Sequence, residues 1–202
     1  MSIKYREYNN YGEYIVHQSE KLNIKLKKRT DVTLFEKRVK IFIKKFKYLN
    51  SYLHGQDILC LGARRGEEVV AFRRIGFEKT FGIDLNPGPD NNYVITKDFH
   101  NTGFEDVSFD IIYSNAIDHS FDLEKLSKEI HRIIKSDGFV ILDISHLTKD
   151  CSSVITSSSK YESVIWDSLD DIKSLFEKNF EFLNIDNNKV NKEQVTMILR
   201  KK

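Results

Sequence analysis

Residues 57–68, "DILCLGARRGEE", decide how the rest of the chain is read. Ile58 to Leu61 form a short apolar run, as expected of a strand buried on both faces of a sheet. The run meets Gly62 and Gly66, and then Glu67 and Glu68, an acidic pair suited to a helix start. Strand, glycine turn and helix N-terminus together make a cradle for a nucleotide-type ligand. Glycine lets backbone approach the ligand closely, and the helix end offers unpaired N–H groups. The glycine pair alone is a weak signal, and its weight comes from the order of the elements that follow.

That order is regular. "EEVVAFRRIG" reads as a helix ended by Gly76, "KTFGIDL" as a second strand before the turn "NPGP", "YVITKD" as a third strand and "FDIIYSNA" as a fourth. "LEKLSKEIHRIIKSDG" reads as a helix closed by its glycine, and "FVILDIS" as a fifth strand. Alternation of this kind builds a mostly parallel sheet with helices on both faces. After a helix around "DDIKSLFEKNF", the strands "FEFLNI" and "EQVTMILRK" are joined by a connection too short for a helical crossover, so they pair antiparallel. The expected fold is α/β: a three-layer, Rossmann-like, doubly wound, mostly parallel seven-stranded sheet with an antiparallel C-terminal strand, plus an N-terminal helical extension.

In such a sheet ligands bind at the carboxyl ends of the strands. Gly62 to Gly66 stand at the end of the first strand, Asp84 at the second, Asp98 at the third and Asn115 at the fourth. Asp84 follows the glycine loop by about twenty residues, where a carboxylate accepts ribose hydroxyls.

Residues 1–50 are polar, rich in tyrosine and lysine, and show no clear strand. They are set apart as an N-terminal helical extension, a candidate lid or substrate-binding region, from a domain spanning 51–202. In "TLFEKRVKIFIKKFKYL" and the residue before it, Val32, Phe35, Val39, Phe42, Phe46 and Leu49 share one helical face, with Thr33 and Glu36 as a capping box. The basic residues between 21 and 47 are either the solvated face of that helix or a contact surface for nucleic acid. Tyr5, Tyr8, Tyr11 and Tyr14, three residues apart, are either a packed helix face or a lid.

A length of 202 residues suits one ordinary domain, and a net charge of +2 does not mark a polyanion binder. Cys60 and Cys151 form no metal-binding spacing, and no metal is expected. Cys60 reads as a buried small hydrophobe, while Cys151, in "TKDCSSVITSSS", has no base beside it. No run is long enough to span a membrane and no secretory leader is evident, so a cytoplasmic location is expected.

At these motifs the chain resembles the class I S-adenosylmethionine-dependent methyltransferases over roughly residues 52–202. The resemblance lies in "DILCLGARRGEEV", "GIDLNPG", "KDFHNTGFEDVSFDIIYSNAIDH" and "LSKEIHRIIKSDGFVILDI". It implies S-adenosyl-L-methionine as cofactor and S-adenosyl-L-homocysteine as product. It implies that Gly62, Ala63 and Gly66 line the methionine part, that Asp84 and the adjoining Leu85 meet the ribose, and that Asp98 with Phe99 holds the adenine. Asn115 borders the methyl group and the acceptor. The family's usual loop has an acid two residues before the first glycine and a further glycine in the middle; Cys60 and Arg64 stand there instead. Arg64 can pair the cofactor carboxylate, with Glu67 nearby, and a branch of the family carries a similar "CLGAR" loop.

His119, just past the fourth strand, is either a residue that orients or deprotonates the acceptor or a surface histidine at a helix start; Asp118 beside it could also take a proton. His100 and His146 also lie at strand ends. "SNAI" at 114–117 replaces the "NPPY" loop of the family's amino methylases of DNA bases and glutamine, and no Pro-Cys pair serves cytosine C5. The acceptor left is a small molecule or a sugar- or nucleotide-linked metabolite, with RNA or protein, bound through the basic N-terminal region, as the alternative. Two rival readings share these elements: an NAD-dependent dehydrogenase, which "GARRG" fits poorly, and a non-catalytic module that keeps the fold.

Overall fold

The computed structural model describes residues 3–29, 32–88, 91–145, 161–187 and 194–202. His146 and Cys151 lie outside these, as do the side chains of residues 21–31. In chain order the elements are β1 (Ile3–Tyr5), α1 (Tyr11–Arg29), α2 (Val32–Tyr48), β2 (Ile58–Leu61), α3 (Glu67–Arg74), β3 (Thr80–Asp84), β4 (Val94–Thr96), β5 (Phe109–Ser114), α4 (Leu123–Ile133), β6 (Ile134–Ser145), β7 (Val164–Trp166), α5 (Leu169–Phe176), β8 (Phe180–Asn187) and β9 (Gln194–Lys201).

The main sheet has seven strands in the order β4-β3-β2-β5-β6-β9-β8. Strands β2 to β6 pair parallel, and β9 runs antiparallel to both of its neighbours. The order reverses between β2 and β5, which opens the crevice where a ligand sits in folds of this kind. All of β2 is buried, because helices cover both faces. On one face α4 and α5 enclose Leu59, Leu61, Ile112, Leu126, Ile130 and Phe176. On the other, α2 and α3 enclose Cys60, Tyr113, Val69 and Phe72. Among the described residues no helix is long and apolar enough to cross a membrane.

Helix α2 packs as its periodicity predicts: Val39, Phe42, Phe46 and Leu49 are buried, and Phe46 stacks on Phe72 with ring centroids 3.8 Å apart. Val32 departs from that face. It is the first residue of the helix and 71% exposed, beyond the reach of the sheet. Glu36 does not serve as a capping-box acid; its two oxygens accept from Arg74 at 2.6 and 2.7 Å. The lysine-rich face also divides, since Lys37, Lys40, Lys44 and Lys47 are exposed while Lys45 turns inward.

Helix α4 is shorter than its sequence suggests. Asp122 caps it by accepting from the Lys125 amide at 3.0 Å, and it stops at Ile133. Ile134 is extended and fully buried, paired with Phe109. Gly138 therefore does not close a helix. A Cβ there would lie 2.8 Å from Ile134 and 2.9 Å from the Asp110 carbonyl, so glycine serves a close approach of backbone.

Strands β1 and β7 form a separate antiparallel ribbon, with Ile3 opposite Trp166. The N-terminal region thus contains a strand where none is evident in its sequence. It also means that Tyr5 and Tyr8 precede the helix, so the four tyrosines do not form one helical face. Tyr8, Tyr11 and Tyr14 instead gather around Phe121, with ring centroids 6.0, 5.4 and 5.4 Å from it.

Candidate functional site

The loop after β2 is shaped by what its backbone must avoid. Gly62 has φ +68°, and a Cβ on it would come within 2.6 Å of the Ala116 methyl. Only glycine fits there. Arg64 adopts the left-handed region at φ +44°, which a side chain normally disfavours. In that conformation its amide donates to Asp84 Oδ2 at 3.0 Å, while the Asn86 amide donates to Asp84 Oδ1 at 2.8 Å. The carboxylate at the end of β3 is thereby pinned by two backbone N–H groups, one from the loop after β2 and one from the turn after β3. Burial pushes its carboxyl above the ordinary range, opposed by those amides and by the Arg64 charge.

The resulting cleft is lined by Gly62, Arg64, Asp84, Leu85, Asn86, Phe99, Ala116 and His119, with Tyr14 and Gln18 of α1 above them. Helix α1 is tied across the opening. Tyr14 Oη donates to the His119 carbonyl at 3.1 Å, Gln18 Nε2 to the Tyr161 carbonyl at 2.9 Å, and Asn86 Nδ2 to the Ser19 carbonyl at 3.3 Å. Tyr11 Oη donates to Asp98 Oδ2.

His119 Nδ1 lies 2.8 Å from the Tyr161 carbonyl and Nε2 3.8 Å from Asp118 Oδ1. A carbonyl only accepts, so Nδ1 carries the hydrogen.

Residues 59–142, which include this cleft's loops, match the family model described as a methyltransferase domain. Over these residues the chain is similar to a methyltransferase domain.

The chain shares its fold with solved structures of low sequence identity. One is the Burkholderia thailandensis 1,6-didemethyltoxoflavin-N1-methyltransferase with bound 1,6-didemethyltoxoflavin and S-adenosylhomocysteine, at 13% identity and TM-score 0.71, covering 99% of this chain and 95% of that one. A Thermotoga maritima SAM-dependent methyltransferase, described as a possible histamine N-methyltransferase, aligns at 17% identity and TM-score 0.67, covering 92% of this chain and 100% of that one. Phosphoethanolamine N-methyltransferase 2 of Haemonchus contortus, in complex with S-adenosyl-L-methionine, aligns at 21% identity and TM-score 0.57, covering 71% of this chain and 38% of that one. No curated protein sequence matches the chain.

Of the residues expected at the methyltransferase site, Gly62, Arg64, Asp84, Leu85, Phe99 and His119 come together around the cleft. Ala63, Gly66, Asp98, Asn115 and Asp118 are absent from its lining. Ala63 turns its methyl to β3, where a Cβ on Gly82 would meet it at 2.5 Å. Gly66 starts α3 at φ +83° and backs onto Tyr93. Glu67 turns away as well: its Oε1 faces Arg38 Nε of α2 at 3.3 Å. Gln18 carries no motif that marks it, and Asn86 and Ala116 lie inside "GIDLNPG" and "SNAI" without a role that their sequence assigns. Asn86 alone stands in a recognisable place, the turn directly after the strand acid.

Beneath the loop lies a buried polar layer that periodicity does not reveal. Asp143 of β6 accepts from Tyr113 Oη, from Lys45 Nζ and, at 2.8 Å, from Thr196 Oγ1. Burial pulls Lys45 down to about 7, with the Glu68 charge opposing. Burial, with the Glu67 charge beside it, pushes Glu68 up to about 8.

Proposed function

We propose that the protein transfers the methyl group of S-adenosyl-L-methionine to a small-molecule acceptor, such as a sugar- or nucleotide-linked metabolite, within the cleft beneath α1. The observation that supports this reading is the roof itself. Tyr14 and Gln18 close the cleft over Gly62, Asp84 and Phe99, and a roofed cleft suits a small acceptor better than an open polymer. Residues 1–50 act in this reading as the extension that covers a methyltransferase domain of residues 51–202.

The fit of the cofactor rests on the loop. Gly62 leaves a space a Cβ would fill, and Asp84 keeps a free lone pair on each oxygen beside its two backbone donors. Asp84 with Leu85 takes the ribose, Phe99 and Asp98 take the adenine, and Gly62, Ala63 and Gly66 shape the methionine path. Arg64 pairs the methionine carboxylate in place of the usual loop glycine. Asn115 borders the acceptor.

When bound, the cofactor supplies an electrophilic methyl group. The protein supplies orientation and exclusion of water. His119, or Asp118 beside it, takes a proton where the acceptor is a hydroxyl. The exposed lysines of α2, Lys37, Lys40, Lys44 and Lys47, keep RNA as the second acceptor class.

Calorimetric titration with S-adenosylhomocysteine, with NAD as control, tests the reading. Binding that is lost in Asp84→Ala, with NAD silent, is the expected result. Absence of S-adenosylhomocysteine binding by folded protein overturns it.

A further inference from the structure

His100 is buried, with its side chain 1% exposed, and both ring nitrogens have partners on different elements. On one side Nδ1 lies 2.8 Å from Asp98 Oδ1, which also accepts from the His100 amide at 2.9 Å. On the other side Nε2 lies 2.8 Å from Ser120 Oγ and 3.3 Å from the Asp122 amide. The Asp98 carboxylate can only accept and the Asp122 amide can only donate. Both neighbours therefore dictate the same neutral tautomer, with the hydrogen on Nδ1.

The arrangement joins two parts of the site. Asp98 follows β4, whereas Ser120 follows the turn Ile117–His119 that carries His119, and Asp122 starts α4. With Oδ1 held by His100, only Oδ2 of Asp98 faces a partner from outside, and in this structure that partner is Tyr11 of the roof. Burial would raise the Asp98 carboxyl, but the hydrogen bonds from His100 and Tyr11 hold it below the ordinary range.

We propose that His100 is a positioning residue: it fixes Asp98 so that Oδ2 alone reads the exocyclic amine of adenine, and it ties that reading to the loop bearing His119. The inference rests on the cofactor assignment above, and it adds that base selectivity is set from behind the carboxylate. It also means that Tyr11 and the adenine amine compete for one oxygen. An exocyclic amine donates to a carboxylate, whereas the carbonyl of hypoxanthine repels it, so a fixed Oδ2 discriminates between the two bases.

The experiment compares S-adenosylhomocysteine with S-inosylhomocysteine by calorimetry on wild type, His100→Gln and His100→Asn. The glutamine amide reaches the Nε2 position and keeps the Ser120 side, whereas the asparagine amide overlies Nδ1 and keeps the Asp98 side. Wild type is expected to prefer the adenine ligand at least tenfold. His100→Gln is expected to lose most of that preference, and His100→Asn to keep it within about threefold. Equal preference in wild type and His100→Gln overturns the proposal, as does an equal loss in both variants. Failure of wild type to bind S-adenosylhomocysteine instead removes the cofactor assignment itself. Should His100→Gln not fold, Ser120→Ala serves as the second variant: retained preference upholds the Asp98 side as the operative one, and lost preference overturns it.

Discussion

The Arg64 amide lies 3.0 Å from Asp84 Oδ2, so the loop residue that departs from the family pattern also holds the acid that the pattern keeps. The contact requires the left-handed backbone at Arg64, φ +44°, where the usual glycine would sit without strain. Arg64→Gly is expected to stabilise the fold by about 1 kcal/mol through relief of that strain. Removal of the guanidinium is expected to weaken S-adenosylhomocysteine about tenfold or more. Thermal melting and calorimetry on the same variant check the two opposite signs.

Gly62→Ala is expected to abolish ligand binding and to cost about 3 kcal/mol. The added methyl meets Ala116 at 2.6 Å, and φ +68° is unfavourable for alanine. For a chain of this size that corresponds to a fall in Tm of roughly 6–12 °C. Retained binding with an unchanged Tm would show that the loop relaxes away from β5.

Phe46→Ala tests how firmly α2 is part of the protein's core. Phe46 is fully buried against Phe72 and Tyr113, and truncation is expected to cost about 3–5 kcal/mol in urea unfolding. A loss under about 1 kcal/mol would mean that α2 packs as a loose appendage.

Glu68 governs a pH dependence of stability. Its folded value, about 8, lies above that of the unfolded chain, so the folded state binds the extra proton. Its contribution is complete below the unfolded value near 4.5 and is lost as pH rises through about 8. Glu68→Gln is expected to remove a downward slope of up to roughly 1.4 kcal/mol per pH unit between pH 5 and 8. Parallel stability–pH curves for wild type and variant would contradict the burial assigned to this carboxyl.

The alternation of strands and helices from Ile58 onward is readable because buried parallel strands are continuous apolar runs and helices carry a matching stripe. Asp84 and Gly62 were legible for a related reason, since a strand end and a positive-φ turn constrain the residue type locally. The roof was not. Tyr14 and Gln18 reach the cleft because α1 crosses it, and that crossing depends on hydrogen bonds to residues such as Tyr161, far away in the chain. Lys45 misleads in the same way: it counts as one more surface charge until the fold turns it onto Asp143. The end of α4 is hidden in the sequence because a glycine after a helical pattern resembles a C-cap, whereas Gly138 is needed where β6 passes Asp110.

The ribbon that pairs Ile3 with Trp166 bears on the order in which the protein can assemble. The strand that leads into α1 finds its partner only once the chain has been made as far as Trp166. A growing chain can therefore complete much of the parallel sheet before the ribbon forms. Closing the ribbon is a long-range event that adds loop-closure entropy to the folding barrier. A nascent chain shorter than Tyr161 would hold its roof only through the bonds of Tyr11, Tyr14 and Asn86, without the ribbon and the Gln18 bond to Tyr161.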